Sequence, residues 1–311
     1  MASWILVLTY FLSVSSLFGN GMVIYLMAKR KRLHSSANAF ITSLAVADFC
    51  VGLFIIPSSH ARNIFSGYQN LRMFSSFQYF LFYSSACNLC VVTADRFVAL
   101  TLPLRYVAVM TWSRVYRLIL TAWIIPLIVY LLPLAWIFSS SPETKNICEK
   151  FFIAFLLTLL EFLPCVIMVA ATVRLFRISC GFSRQTMFLL SQLKFNHPNL
   201  NVKGLKKHRH RNMASAKLIS LVVGLFVLCY VIEMVASLLR LLNLSKQMRS
   251  SYFTKELRFL FLIANSAVNP LVYAFLKKDI QTEVKRFFCR HRHRVVNKSV
   301  AELQKDAGSA A

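Results

Sequence analysis

Residues 4–28 read WILVLTYFLSVSSLFGNGMVIYLMA, without a charged side chain. About 20 helical residues cover the hydrocarbon core of a bilayer, so this stretch is long enough to cross one. Six more windows share its character: 39–57, 73–94, 118–138, 151–173, 218–239 and 259–276. The only acids among them are Asp48, Glu161 and Glu233. Seven such windows exceed what helices of soluble proteins show and predict an all-α integral membrane protein with seven transmembrane helices. The first window lacks the basic flank and small-residue cleavage site of a removable signal and reads as a retained span. No span repeats another, which leaves an inverted-repeat transporter without support.

Composition agrees: 57% of the 311 residues are hydrophobic and 15% charged, with a mean hydropathy of +0.59, which excludes an ordinary soluble domain. The net charge of +25 would suit nucleic acid, but 27 of the 36 Lys and Arg fall in four blocks between windows. These are Lys29–Arg32, Arg96–Arg117, Arg174–Lys217 and the segment from Lys277 onward, and the other ends of the windows hold nine. Positive charge marks the cytoplasmic side, so the amino terminus is expected outside and the carboxyl tail inside, with no nucleic-acid partner. Segment 174–217 reads as a solvated extension of two helices drawn to anionic lipid. The chain divides into one seven-helix unit, 1–289, and a disordered tail, 290–311.

The eight cysteines follow neither a secreted disulfide framework nor a zinc spacing. No nucleophile–base pair, Gly-rich phosphate loop or ligand-spaced metal cluster points to an enzyme. The polar groups that need an explanation lie inside spans, where they are expensive. They are Asn20 after Gly19, Asp48 in LAVAD (44–48), Ser85, and Asn265, Ser266 and Asn269 in NSAVNPLVY (265–273). One facing set of carboxylate, hydroxyl and amides suits a monovalent cation, a water network or a purely structural set of hydrogen bonds.

These residues, with DRF at 95–97, LPLRY at 102–106, Trp123 and Pro164, occur in the order and on the helices of one family. The chain resembles the rhodopsin-like (class A) G-protein-coupled receptors across all seven spans. The resemblance implies a sodium and water pocket at Asp48, Ser85, Asn265 and Asn269, with sodium as an allosteric ion and no other cofactor. It implies that Asp95 holds Arg96 until Arg96 meets a heterotrimeric G protein, and that Leu104 inserts into that G protein. Tyr273, after Asn269 and Pro270, matches the side chain that swings inward on activation. The chain is then a plasma-membrane receptor that turns binding of an extracellular ligand into nucleotide exchange on a G protein. Competing readings are a proton-sensing or constitutively active receptor, a seven-helix protein that has lost signalling, and a transporter.

Segment 277–289 has Ile280, Val284, Phe287 and Phe288 among cationic and polar residues and predicts a short amphipathic cytoplasmic helix. Cys289 closes it as a palmitoylation candidate. Asn243 opens a glycosylation sequon on the outer side. Only Thr282, Ser299 and Ser309 can be phosphorylated after Lys277, so tail-dependent arrestin binding is expected to be weak.

The chain also departs from the family pattern. Leu71 stands where a cysteine normally opens the third span, so Cys148 is expected to be unpaired. Melanocortin, lysophospholipid and cannabinoid receptors share that loss, and features shared with adenosine and amine receptors leave the branch open. The sixth span reads CYVI at 229–232 instead of CWxP, with Tyr230 for the tryptophan and Ile232 for the kinking proline. Thr172 and Asn212 replace polar partners of the activation machinery, which suggests ligand-free signalling.

Family ligands enter between the third, fifth, sixth and seventh spans. Gln78 replaces the ammonium-binding aspartate of amine receptors and Ile263 the retinal lysine of opsins. Glu161 and Glu233 are expected to face a cavity with Gln78, Tyr79, Tyr83 and Tyr230, because a lipid-facing carboxylate is costly. A small cationic ligand bridging the two acids is one reading. Structural, protonated acids and proton sensing are the others.

Overall fold

The computed structural model describes residues 3–64, 68–137, 141–196, 223–239, 241–242, 252–276 and 279–287. The chain begins with α1 (Ser3–Lys29), a 3-10 turn (Lys31–Leu33), α2 (Ser36–Ile64), α3 (Tyr68–Thr101) and a short α4 (Tyr106–Val109). It continues through α5 (Trp112–Leu131), α6 (Leu134–Ile137), α7 (Pro142–Leu156), a π turn (Leu157–Phe162) and α8 (Leu163–Asn196). α9 covers Val223–Leu239, α10 covers Tyr252–Leu276, and α11 covers 279–287. Spans one to seven are α1, α2, α3, α5, the α7–π–α8 rod, α9 and α10. Four of the described helical runs are long and apolar enough to cross a membrane, and Val223–Leu239 and Phe259–Val272 are shorter apolar helices.

On α1 large apolar side chains face outward and small polar ones inward, although the bundle keeps an apolar core. Phe11 and Phe18 on α1 are 65% and 75% exposed, whereas Ser13, Ser16 and Asn20 on the same helix are fully buried. Water would reverse that pattern; hydrocarbon around the bundle favours it, because polar groups there must find partners inside. Small residues bring helices together: a Cβ at Gly52 would lie 2.9 Å from the Ser13 carbonyl oxygen, so glycine sets the approach of α1 and α2. α3 is the hub, packing on α2, α5 and α8, while α10 closes the bundle against α1 and α2.

The fifth span departs from its expected window, while α9 and α11 stay within theirs. The fifth span is helical from Pro142 to Asn196 rather than over 151–173, so part of the basic segment 174–217 is a rigid continuation of the span. Ser141 starts it, its hydroxyl accepting from the Thr144 N–H at 3.4 Å, with Pro142 in the first turn. Pro164 has no N–H to offer the Leu160 carbonyl, and the helix widens to a π turn over Leu157–Phe162. α9 runs without a break past Ile232, as loss of the proline predicts. α11 spans 279–287 within the predicted 277–289, with Ile280 1% exposed and Val284 and Phe287 against the core. Glu283 fixes it, pairing with Arg30 at 3.2 Å and Arg286 at 2.8 Å.

Candidate functional site

Three polar centres lie along the bundle. In the middle, Asp48 is completely buried. Ser85 Oγ donates to its Oδ1 at 2.5 Å and Asn269 Nδ2 to its Oδ2 at 2.8 Å. Ser16 Oγ donates to the Asp48 backbone carbonyl at 2.9 Å, and Asn20 Nδ2 reaches the Ser266 carbonyl at 3.3 Å. Helices α2, α3 and α10 thus meet at one carboxylate, and α1 ties in through the backbone carbonyls of Asp48 and Ser266. Asn265 is buried at 4% exposure, but no hydrogen bond joins it to Asp48; the bonded amide is Asn269. Among the described residues no Lys or Arg pairs with Asp48, and neutral donors do not cancel a buried charge. Asn20 Oδ1, buried nearby, lacks a hydrogen-bond partner. The donor set therefore fits a small monovalent cation. Groups of three or more His, Cys, Asp or Glu arranged to hold a metal do not occur among the described residues.

At one end of α3, Arg96 Nε lies 3.4 Å from Asp95 Oδ2, and Tyr106 Oη donates to Asp95 Oδ1 at 2.7 Å. Asp95 is 1% exposed, so both its oxygens are engaged inside the protein. Burial pushes the Tyr106 hydroxyl above the ordinary phenol range, keeping it a proton donor. Tyr106 had no role in the sequence reading, although it lies within LPLRY. Leu104, two residues before it, is 99% exposed. Pro270 sits inside α10, and Tyr273 lies on that helix with its side chain outside the described part. Cys289, Asn243 and Asn212 also lie outside the described residues.

Toward the other end of α3, a cavity of about 220 Å³ opens among four spans. Tyr79 and Tyr83 of α3 line it with Glu161 of the π turn and Glu233 and Ser237 of α9. Tyr83 Oη donates to Glu161 Oε1 at 2.8 Å and Ser237 Oγ to the same oxygen at 3.3 Å. The two acids are 1% and 2% exposed, as a carboxylate turned away from lipid must be. Two expected lining residues belong elsewhere. Gln78 is 4% exposed but turned from the cavity, about 100° round α3 from Tyr79. Tyr230 lies below, stacked on Phe226 with ring centroids 4.2 Å apart and donating to the Phe82 carbonyl at 3.1 Å.

The described walls also differ from the expected set. Pro126, Val129 and Tyr130 of α5 and Pro133 of the turn after it line the cavity, opposite Glu149, Phe152, Ile153 and Leu156 of α7. No described residue of the seventh span contributes. Glu149 was not singled out by the sequence reading; the signal for it is its spacing of three, four and seven from its apolar neighbours, which puts all four on one helix face. Cys148 beside it is a free thiol. Below the cavity, Trp123 Nε1 donates to Ser43 Oγ at 3.0 Å and Ser43 Oγ to Asn88 Oδ1 at 2.6 Å, tying α2, α3 and α5 together.

Seven apolar segments, a bundle built round a buried aspartate and an Asp–Arg pair at the end of its central helix define a membrane receptor. A model of the 7 transmembrane receptor (rhodopsin family) matches residues 19–273, and the chain belongs to that family. It is 27% identical to the adenosine receptor A2b of Gallus gallus, over 90% of this chain and 87% of that one. It is 26% identical to the histamine H2 receptor of Cavia porcellus, over 87% and 75%. It is 23% identical to the octopamine receptor beta-1R of Drosophila melanogaster, over 90% and 62%. The chain is thus a G-protein-coupled receptor and a multi-pass membrane protein, and its family and relatives are receptors rather than enzymes.

Proposed function

We propose that this receptor responds to a small cationic ligand held between Glu161 and Glu233. The observation that carries the reading is the cavity itself: its lining includes three carboxylates and no Lys, Arg or His among the described residues. Tyr79, Phe80, Tyr130 and Phe152 add aromatic faces to the walls, which attract a cation. Two relatives are named for histamine and octopamine, both small amines, and those names support the same class. The carboxylates come here from the fifth and sixth spans, which accounts for Gln78 in place of an aspartate on the third.

The ligand side faces outward with the amino terminus, and the carboxyl tail is cytoplasmic, on the balance of basic residues. Sodium at Asp48 and Ser85, with Asn269 beside them, stabilises the inactive bundle by neutralising the buried charge. On activation Arg96 leaves Asp95 for the G protein, Leu104 inserts into it, and α10 rearranges at Asn269, Pro270 and Tyr273. Cys289 carries a palmitoyl group, Asn243 a glycan, the basic blocks contact anionic lipid, and arrestin binds weakly through the tail. The test is G-protein dissociation in cells expressing the full chain, with a panel of primary amines including histamine and octopamine. Activation by an amine that Glu233→Gln weakens at least tenfold at unchanged surface expression supports the reading. Amine potency that Glu161→Gln and Glu233→Gln both leave intact rejects it.

A further inference from the structure

The cavity is walled on two sides by the fourth and fifth spans. At the loop end, α6 packs against α7, with the Trp136 and Phe152 rings 5.5 Å apart edge to face. Lower down, α5 and α8 each pack on α3, while their backbones are not closely paired with each other. The facing stripes Pro126, Val129 and Tyr130 on α5, with Pro133 just beyond it, and Phe152, Ile153 and Leu156 on α7 are apolar or aromatic, with Glu149 at the loop end of the second stripe. Next to those stripes, Leu127 and Leu131 on α5 and Phe155 on α7 are more than 40% exposed and face lipid. These exposed positions place the apolar walls between the fourth and fifth spans beside hydrocarbon, next to the cavity that holds Glu161 and Glu233. Glu149 and Glu161 are twelve residues apart on one rod, roughly 18 Å at the rise of a helix, and the apolar residues Phe152, Ile153 and Leu156 lie between them.

We propose that the ligand is a cationic amphiphile, its ammonium group between Glu161 and Glu233 and its apolar chain in the cleft between the fourth and fifth spans. The inference rests on the cationic-ligand reading above and adds the chain. An ammonium that dissolves in water gains nothing from the apolar stripes, whereas an alkyl amine buries its methylenes there and reaches the cleft through the bilayer.

The probes are n-butylamine, n-octylamine and n-dodecylamine, measured by thermal stabilisation of the full-length receptor in nanodiscs of neutral lipid against free aqueous amine. Apparent affinity is expected to rise by up to about fourfold per methylene, the factor for burying each one. Glu233→Gln should lose all three probes. Val129→Trp and Ile153→Trp, which fill the cleft from opposite walls, should bring octylamine and dodecylamine down to the affinity of butylamine. Equal affinity for the three amines, all lost in Glu233→Gln, overturns the amphiphile and keeps the cationic reading. A chain-length gain that survives both tryptophan variants places the chain elsewhere and also overturns it. Absence of stabilisation by any amine removes both.

Discussion

Gly19 lies directly against Pro270: a Cβ at Gly19 would stand 2.9 Å from both Cβ and Cγ of the proline ring. The contact joins the first span to the helix segment that carries Asn269, the amide on Asp48. A ring held by its neighbours cannot yield several tenths of an ångström, and overpacking of this kind costs about 1–3 kcal/mol. Gly19→Ala is therefore expected to lower the melting temperature of the purified receptor, and Gly19→Val to lower it further. An unchanged melting temperature for both would show that α1 and α10 separate freely.

Asp95 holds Arg96 with one oxygen and accepts from Tyr106 with the other. Asp95→Asn keeps the shape and an acceptor for Tyr106 but removes the charge that faces the guanidinium. Loss of about 1 kcal/mol from the inactive arrangement shifts a two-state balance roughly fivefold. Basal G-protein dissociation without ligand is expected to rise by that order in Asp95→Asn and to vanish in Arg96→Ala. A basal signal equal to wild type in Asp95→Asn would mean that this pair does not restrain the receptor.

The centre of the bundle was legible in the sequence because Asp48, Ser85 and Asn269 are polar residues in runs that should be apolar, and a membrane gives such residues few places to go. Glu161 and Glu233 were legible for the same reason. Glu149 was not: Lys145 and Lys150 surround it at a helix start, so it looks like an ordinary solvated charge until the fourth span is seen opposite. The family position of Gln78 points to the cavity, but Gln78 is not among the lining residues, because rotation about the helix decides which way it faces. The π turn before Pro164 likewise shifts Glu161 relative to a regular helix, and a residue count assuming 3.6 per turn misses that shift.

Glu161 is held by Tyr83 at 2.8 Å and Ser237 at 3.3 Å. Removing a donor from a buried acceptor costs about 1–3 kcal/mol, and the Tyr83 bond is the shorter of the two. Tyr83→Phe should therefore destabilise the receptor more than Ser237→Ala, in thermal unfolding without added ligand. The reverse order would assign the main support of Glu161 to α9 rather than α3.

Leu104 separates folding from signalling. It is 99% exposed, so nothing in the bundle depends on it, and surface changes of this kind stay within about 0.5 kcal/mol. Leu104 sits two residues from Tyr106, the partner of Asp95, and its side chain is free to contact a partner. Leu104→Asp is expected to leave melting temperature and surface expression unchanged while reducing G-protein dissociation at least tenfold, through the lost apolar contact and a buried charge in the complex. Full signalling by Leu104→Asp would show that the G protein docks without this loop. Loss of both stability and signalling would show instead that Leu104 packs within the receptor.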